Sequence, residues 1–145
     1  MRIVVDANIL ISYALAPDSS SAIVQVVEAI WSAPVQLILP DLLIDEIRST
    51  VARKPQLRDR IPAEDLDELL RELQAVAVPF HQDQVEIVAV LRDRKDDVLL
   101  DAAIRANADY LISGNRDLLD ISDQLEHPRI VSAREFLDLL DQMAG

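Results

Sequence analysis

The chain has 145 residues, half of them hydrophobic and only 3% aromatic, which suits one domain with a large aliphatic core. It has no cysteine and two histidines, so thiolate metal sites are excluded and any metal would bind oxygen ligands, as Mg²⁺ or Mn²⁺ does. The net charge of −12 argues against a protein that binds nucleic acid by neutralising many phosphates. The chain has no long apolar stretch and no signal peptide, so we expect a cytoplasmic protein without a membrane anchor.

Short apolar runs alternate with helical patterns in the first half of the chain. The β-branched run at 3–5 predicts a buried parallel strand. Residues 54–60 form a basic connection bounded by prolines. The periodicity and capping residues predict helices at 8–16, 21–31, after Asp41 and at 62–75, with strands at 36–39 and 76–80.

The alternation continues in the second half. Strands are predicted at 86–91, 110–112 and 129–131, a charged loop at 92–95, and helices at 97–106, 117–120 and 133–143. This order predicts a three-layer α/β/α fold with a central, mostly parallel sheet, formed by one domain over 1–145. In such sheets ligands bind beyond the carboxyl ends of the strands, near the point where the strand order reverses.

Acidic residues occur where such a site would form. Asp6 directly follows the first strand, and either capping of the next helix or a ligand role explains it, while Asn8 suits a cap or turn. Glu46 borders the apolar stripe of its helix, whereas the neighbouring Asp45 has polar helical neighbours. Glu46 is therefore a candidate ligand, although an ion pair at the stripe boundary is an alternative.

Three further acids lie late in the chain. Asp96 and Asp97 open a helix, where the helix dipole by itself favours acids, and Asp101 lies on the same face as Asp97. Asp117 follows a strand and a turn, so capping and catalysis explain it equally well. In a doubly wound sheet, Asp6, Asp97 and Asp117 can meet at one edge.

Four stretches, in order, resemble the motifs of PIN domains. The opening Ile-Val-Val-Asp-Ala-Asn at 3–8 resembles the first motif, and Leu-Ile-Asp-Glu-Ile at 43–47 resembles the acidic helix of the family. Residues 92–103 resemble the third motif and residues 108–119 the fourth. The resemblance covers nearly the whole chain, and four ordered motifs are more specific than any one of them.

The resemblance implies a Mg²⁺- or Mn²⁺-dependent endoribonuclease that hydrolyses single-stranded or structured RNA. Small bacterial members are commonly VapC-like toxins of type II toxin–antitoxin systems, which implies a homodimer silenced by a cognate antitoxin. The implied catalytic and metal-binding residues are Asp6, Glu46, Asp97 and Asp117. Asn8, Ser113 and Asn115 would be supporting polar residues. Many members of the family have Asp where this chain has Asn115, a difference that would weaken the binding of a second metal ion. Asp93 and Asp96 match the motif but are interpreted as residues that flank the site.

The sequence leaves other functions open. A basic rim would guide RNA to the acidic pocket, although ordinary solvated surface also explains its residues. It is predicted from the residues that flank the late acidic motifs, Arg92, Arg94, Lys95 and Arg116, and from the cluster after Glu46, namely Arg48, Arg53, Lys54, Arg58 and Arg60. The alternative function is a catalytically silent PIN domain that acts as an RNA- or protein-binding module. Phosphotransfer folds fit the sequence poorly, because a haloacid phosphatase would need Asp at the position of Asn8. A protein that only binds other proteins is a further alternative.

Overall fold

The computed structural model describes residues 1–32, 34–85 and 94–144, without the side chains of Arg94 and Ala144. Within these residues, five parallel strands form one sheet in the order β3-β2-β1-β4-β5. The strands are β1 (Arg2–Val5), β2 (Gln36–Pro40), β3 (Val78–Phe80), β4 (Tyr110–Ile112) and β5 (Arg129–Val131). The predicted α/β fold with a central parallel sheet is confirmed.

The central strand β1 is apolar because helices cover both faces of the sheet. Ile3, Val4 and Val5 are fully buried, as expected for an internal parallel strand. On one side Ile3 pairs with Leu37 of β2, and on the other side Val5 pairs with Ile112 of β4. This register brings the ends of β1 and β4 to the same edge of the sheet.

The helices that the structure describes agree with most of the predicted ones, with bounds shifted by one to three residues. They are α1 (Ala7–Leu15), α2 (Ala22–Ser32), α3 (Asp41–Arg53), α4 (Pro55–Arg58), α5 (Ala63–Val76), α6 (Arg94–Arg105), α7 (Arg116–Asp120) and α8 (Ala133–Ala144), with a 3₁₀ turn at Ser122–Gln124. None of the helices in these described ranges is long and apolar enough to cross a membrane.

Two predictions of local structure differ from the structure, and a third falls outside the described residues. The connection at 54–60 contains the short helix α4, which a proline at its first position initiates. The loop predicted at 92–95 is wrong at its end, because α6 already begins at Arg94. The strand predicted at 86–91 lies outside the described residues.

The helices form a layer on each side of the sheet. On one side α1 contacts α2, α3 and α5, and α2 contacts α8. Helix α6 contacts β1 and β4 instead. Because the chain crosses from β3 past β1 to β4, a right-handed connection places α6 on the opposite face. The first turn of α6 therefore lies near the edge between β1 and β4, on the face of the sheet opposite to α1.

The end of α6 determines how the chain enters β4. Asn107 has a φ of 56°, in the left-handed region that asparagine tolerates. The N–H groups of Asn107 and Ala108 donate to the carbonyls of Ile104 and Ala103, the pattern of a Schellman motif. This turn ends the helix and directs the chain into β4, whose last residue is followed by Ser113.

Candidate functional site

The strand order reverses between β1 and β4, and two polar residues flank this point. Asp6 directly follows β1 and Ser113 directly follows β4. The Ser113 hydroxyl donates a hydrogen bond of 2.7 Å to Oδ2 of Asp6, and both residues are buried. The structure thus places a buried carboxylate at the switch point, where open α/β sheets bind their ligands.

The two carboxylate oxygens of Asp6 have different partners. Oδ1 accepts the N–H of Asn8 at 3.2 Å and caps α1, while Oδ2 accepts the Ser113 hydroxyl. The backbone N–H of Asp6 also donates to the Ile112 carbonyl at 2.9 Å. The capping interpretation is therefore correct, and it leaves the second oxygen aimed across the switch point.

Hydrogen bonds connect Ser113 to the first turns of α6 and α7, both of which contain acidic residues. The Ser113 hydroxyl accepts the N–H of Asn115 at 3.0 Å. The Asn115 amide nitrogen donates to Oδ2 of Asp96 at 2.9 Å, and its oxygen accepts the N–H of Asp117 at 2.9 Å. Asn115 thereby caps α7 and connects the start of α6 to the start of α7.

Asp96 is a residue whose importance the sequence did not reveal. It was interpreted as a flanking residue, but it is buried and bonded to Asn115. Its neighbour Asp97 is partly buried, and Oδ1 of Asp97 is shielded from solvent without a hydrogen-bond donor among the described residues. Helical position alone does not distinguish the two adjacent acids, because both suit a first helical turn, and only the resemblance to the family favoured Asp97 as the ligand.

Glu46 lies on α3, close to α6. Its side chain is partly buried while Asp45 is exposed, which confirms the predicted difference between these neighbours. Glu46 lines a small cavity of about 10 Å³ together with Gln82 of the segment after β3 and Val98 of α6. The structure thus places Glu46 beside the helix that carries Asp97.

The remaining candidates lie on the surface. Asn8, Lys95 and Arg116 are exposed, Asp117 is partly buried in the first turn of α7, and the Arg94 side chain is outside the described residues. Among the residues that the structure describes, no three acids or histidines form a group that could hold a metal ion. The structure joins Asp6, Ser113, Asn115 and Asp96 by side-chain hydrogen bonds, but not Asp6 to Glu46, Asp97 or Asp117.

The chemistry of the donors nevertheless fits a hard divalent cation. The polar groups around the switch point are carboxylate, amide and hydroxyl oxygens, which are the ligands of Mg²⁺ and Mn²⁺. The shielded Oδ1 of Asp97 is an acceptor without a donor, and burying such an oxygen is unfavourable unless a positive partner satisfies it. Gln82, which follows β3, is also buried, with 1% exposure, and no sequence motif predicts this.

Comparison with known proteins agrees with the geometry. The PIN domain family model matches residues 2–117, which is most of the chain. No curated protein matches the sequence significantly. A chain in the crystal structure of VapBC2 from Rickettsia felis, bound to a DNA fragment from their promoter, has a similar fold, with a TM-score of 0.57 and 12% identity over 91% of this chain and 98% of that one. At this identity the structural similarity concerns the fold alone. The family model, in contrast, matches a stretch that contains β1, β4 and the acidic positions of the site, so the chain belongs to the PIN domain family.

Proposed function

We propose that the protein is a Mg²⁺- or Mn²⁺-dependent endoribonuclease that hydrolyses RNA phosphodiesters. The observation that carries this proposal is the buried Asp6–Ser113 pair at the switch point of a PIN-type sheet. Each Asp6 oxygen already accepts one hydrogen bond, but a carboxylate has further acceptor positions, and carboxylate oxygens at a ligand-binding edge suit a hard divalent cation. Family membership supports the same assignment.

In this proposal the cation is held by Asp6 and Asp97, with Glu46 and Asp117 bound directly or through water. A bound divalent cation lowers the pKa of a water ligand and neutralises charge on a phosphate oxygen. Ser113 orients the Asp6 carboxylate through its 2.7 Å hydrogen bond. Asn115 donates to Asp96 and accepts the backbone N–H of Asp117, so it holds the starts of α6 and α7 together.

Two basic residues are candidates for guiding RNA to this acidic edge. Lys95 lies in the first turn of α6 and Arg116 in the first turn of α7, and both are exposed. Both helices begin at the sheet edge that holds Asp6, so the cations flank the acids. A local basic rim allows a phosphate backbone to approach a protein whose net charge is −12.

The biological role that we propose is that of a toxin in a toxin–antitoxin pair. The similar fold of a chain in the VapBC2 structure supports this role, together with the family assignment. The proposal includes a cognate antitoxin as the protein partner, a homodimer as the working unit, and the cytoplasm as the location. Size-exclusion chromatography with light scattering measures the oligomeric state directly.

The proposed function is tested by the Asp6→Asn variant. Asn can still cap α1 but lacks the charge that a cation ligand needs, so we expect cleavage of a fluorescent single-stranded RNA in Mn²⁺ to fall about 100-fold or more. The thermal stabilisation of the wild-type protein by Mn²⁺ should also disappear.

Asp45→Asn is the matched control, because Asp45 is exposed on α3 beside Glu46 and should leave both measurements unchanged. Cleavage that survives in Asp6→Asn at the wild-type rate would come from a contaminant and would refute the assignment. Binding of RNA by the wild-type protein without metal-dependent turnover would favour a silent binding module.

A further inference from the structure

A buried glutamine connects the two helices that carry the proposed ligands. The backbone N–H of Gln82 donates to Oδ1 of Asp41 at the start of α3, at 3.0 Å. Its side-chain nitrogen donates to the carbonyl of Val98 at 2.9 Å and to Oδ2 of Asp101 at 2.7 Å, both on α6. One residue that follows β3 therefore bonds to α3 on one side and to α6 on the other.

The orientation of the Gln82 amide is determined by its surroundings. Both groups that contact its nitrogen are acceptors, a carbonyl and a carboxylate, so the NH₂ group must face α6. The amide oxygen then points away from α6 and is buried without a donor among the described residues. A glutamine fits this position because it offers two N–H donors on an uncharged side chain of sufficient length.

The α6 end of this connection is firmly anchored. Asp101 is fully buried and also lies 3.7 Å from Nε of Arg105, one turn later. The Arg105 guanidinium packs 5.3 Å from the centre of the Phe80 ring at the end of β3. The cation–π contact of Arg105 and the Gln82 hydrogen bonds thus join α6 to the end of β3, and the ion pair within α6 links Arg105 to Asp101.

Both helices carry proposed ligands close to these bonds. On α6, Asp97 immediately precedes Val98, the residue whose carbonyl accepts from Gln82. On α3, Glu46 lines the same 10 Å³ cavity as Gln82. Resting on the proposed function, we propose that Gln82 is a positioning residue that sets the distance and rotation between α3 and α6, and thereby the separation of Glu46 and Asp97.

The test is Gln82→Met, which keeps the length of the side chain but removes both N–H donors. We expect the dissociation constant for Mn²⁺, measured by electron paramagnetic resonance of the free ion, to rise about 10-fold, in the range typical of groups that orient metal ligands. The kcat for RNA cleavage should fall by a similar factor, whereas KM should change less than about twofold because the exposed cations are untouched.

Gln84→Met is the matched control, because Gln84 is exposed two residues later in the same segment. If Gln82→Met does not melt cooperatively, Gln82→Leu replaces it, since Leu is smaller and also has no N–H donor. Wild-type Mn²⁺ affinity and kcat in a folded Gln82 variant would overturn the proposal.

A second readout separates this inference from the proposed function. Hydrogen exchange of the metal-free protein should be faster in α6 of Gln82→Met than in wild type, and unchanged in α8. If the wild-type protein neither binds Mn²⁺ nor cleaves RNA, the proposed function fails, and faster exchange confined to α6 still supports the connection by Gln82. Equal exchange rates in α6 would refute that connection as well.

Discussion

Asp6 illustrates how one side chain can serve both fold and function. One of its oxygens caps α1, and the other accepts the Ser113 hydroxyl across the switch point of the sheet. The two tasks do not compete, because an ionised carboxylate has about four lone-pair directions. The geometry leaves further acceptor capacity for a cation, which is the basis of the proposed function.

The Ser113→Ala variant tests how much this pair stabilises the protein. The substitution removes a donor to a buried carboxylate and an acceptor for the N–H of Asn115, so we expect a loss of about 2 kcal/mol in the free energy of unfolding. For a chain of this length the loss corresponds to roughly 4–8 °C in Tm, measurable by calorimetry without metal.

Ser20→Ala is the control, since Ser20 is exposed and its side chain is not part of this network. If both variants melt at the wild-type temperature, the hydrogen bond between Ser113 and Asp6 contributes nothing to stability, and its proposed role in orienting the carboxylate loses support.

Asn115 bonds to two acidic residues in a way that an aspartate at this position could not. Its amide donates to the Asp96 carboxylate through nitrogen and accepts the N–H of Asp117 through oxygen. An aspartate would keep the acceptor but place a second carboxylate about where the amide nitrogen now lies, close to Asp96. Because two like charges at that distance repel each other, the pair of Asp96 and Asn115 is internally consistent.

At the scale of elements, α8 extends the fold beyond the part that matches the PIN family model. The match ends at residue 117, yet α8 contacts α2 and its Phe136 is fully buried. The Phe136 ring packs edge-on against Tyr110 of β4, with 5.7 Å between the ring centres. Helix α8 is therefore part of the same hydrophobic core as the sheet.

The Phe136→Ala variant tests this role of α8. Removing a buried phenyl ring should lower the free energy of unfolding by about 3–5 kcal/mol, because the cavity is lined by packed side chains that relax only partially. Urea denaturation should show the loss as a lower midpoint of a single transition. Met143→Ala on the same helix is the control, since Met143 is 56% exposed and should change stability little. A stability close to wild type in Phe136→Ala would mean that α8 folds separately from the sheet.

At the scale of the whole molecule, the net charge of −12 makes the protein strongly acidic. Burial raises the pKa of Tyr13, and the carboxylates of Glu28, Glu72 and Asp18 raise it further. A surface of this sign repels RNA over most of its area, with a Debye length of about 8 Å at physiological salt. Under the proposed function, we therefore expect RNA binding to depend on the basic residues near the site.

Salt dependence tests the proposed basic rim. In Lys95→Ala/Arg116→Ala, the slope of log K against log salt for single-stranded RNA should become shallower by roughly 0.7 for each lost phosphate contact, and KM should rise. Arg58 belongs to the other basic cluster predicted for the rim, but it follows α3, which runs about 20 Å back from the edge that holds Asp6. The exposed Arg58 is therefore the control, and Arg58→Ala should leave the salt slope unchanged. Equal salt slopes in the double variant and wild type would show that these cations do not contact RNA.

Much of the fold could be read from local patterns. The apolar run at 3–5 and the leucines of α5 indicated a buried strand and an amphipathic helix, and both are present. The difference between Glu46 and Asp45 followed from helical periodicity alone. The start of α6 was predicted three residues late, because the charged residues that precede it carry no apolar pattern.

The sequence by itself determined the type of fold, the order of its elements and the oxygen chemistry of the site, because periodicity and residue type are local properties. Only the tertiary structure decided which polar groups meet. Ser113 and Asp6 are separated by 107 positions, Asn115 and Asp96 by 19, and Gln82 and Asp101 by 19. These contacts depend on strand order and on the rotation of α6, which result from packing of the whole chain. No local pattern therefore showed that Asp96 and Gln82 would be buried and hydrogen-bonded to residues 19 positions away.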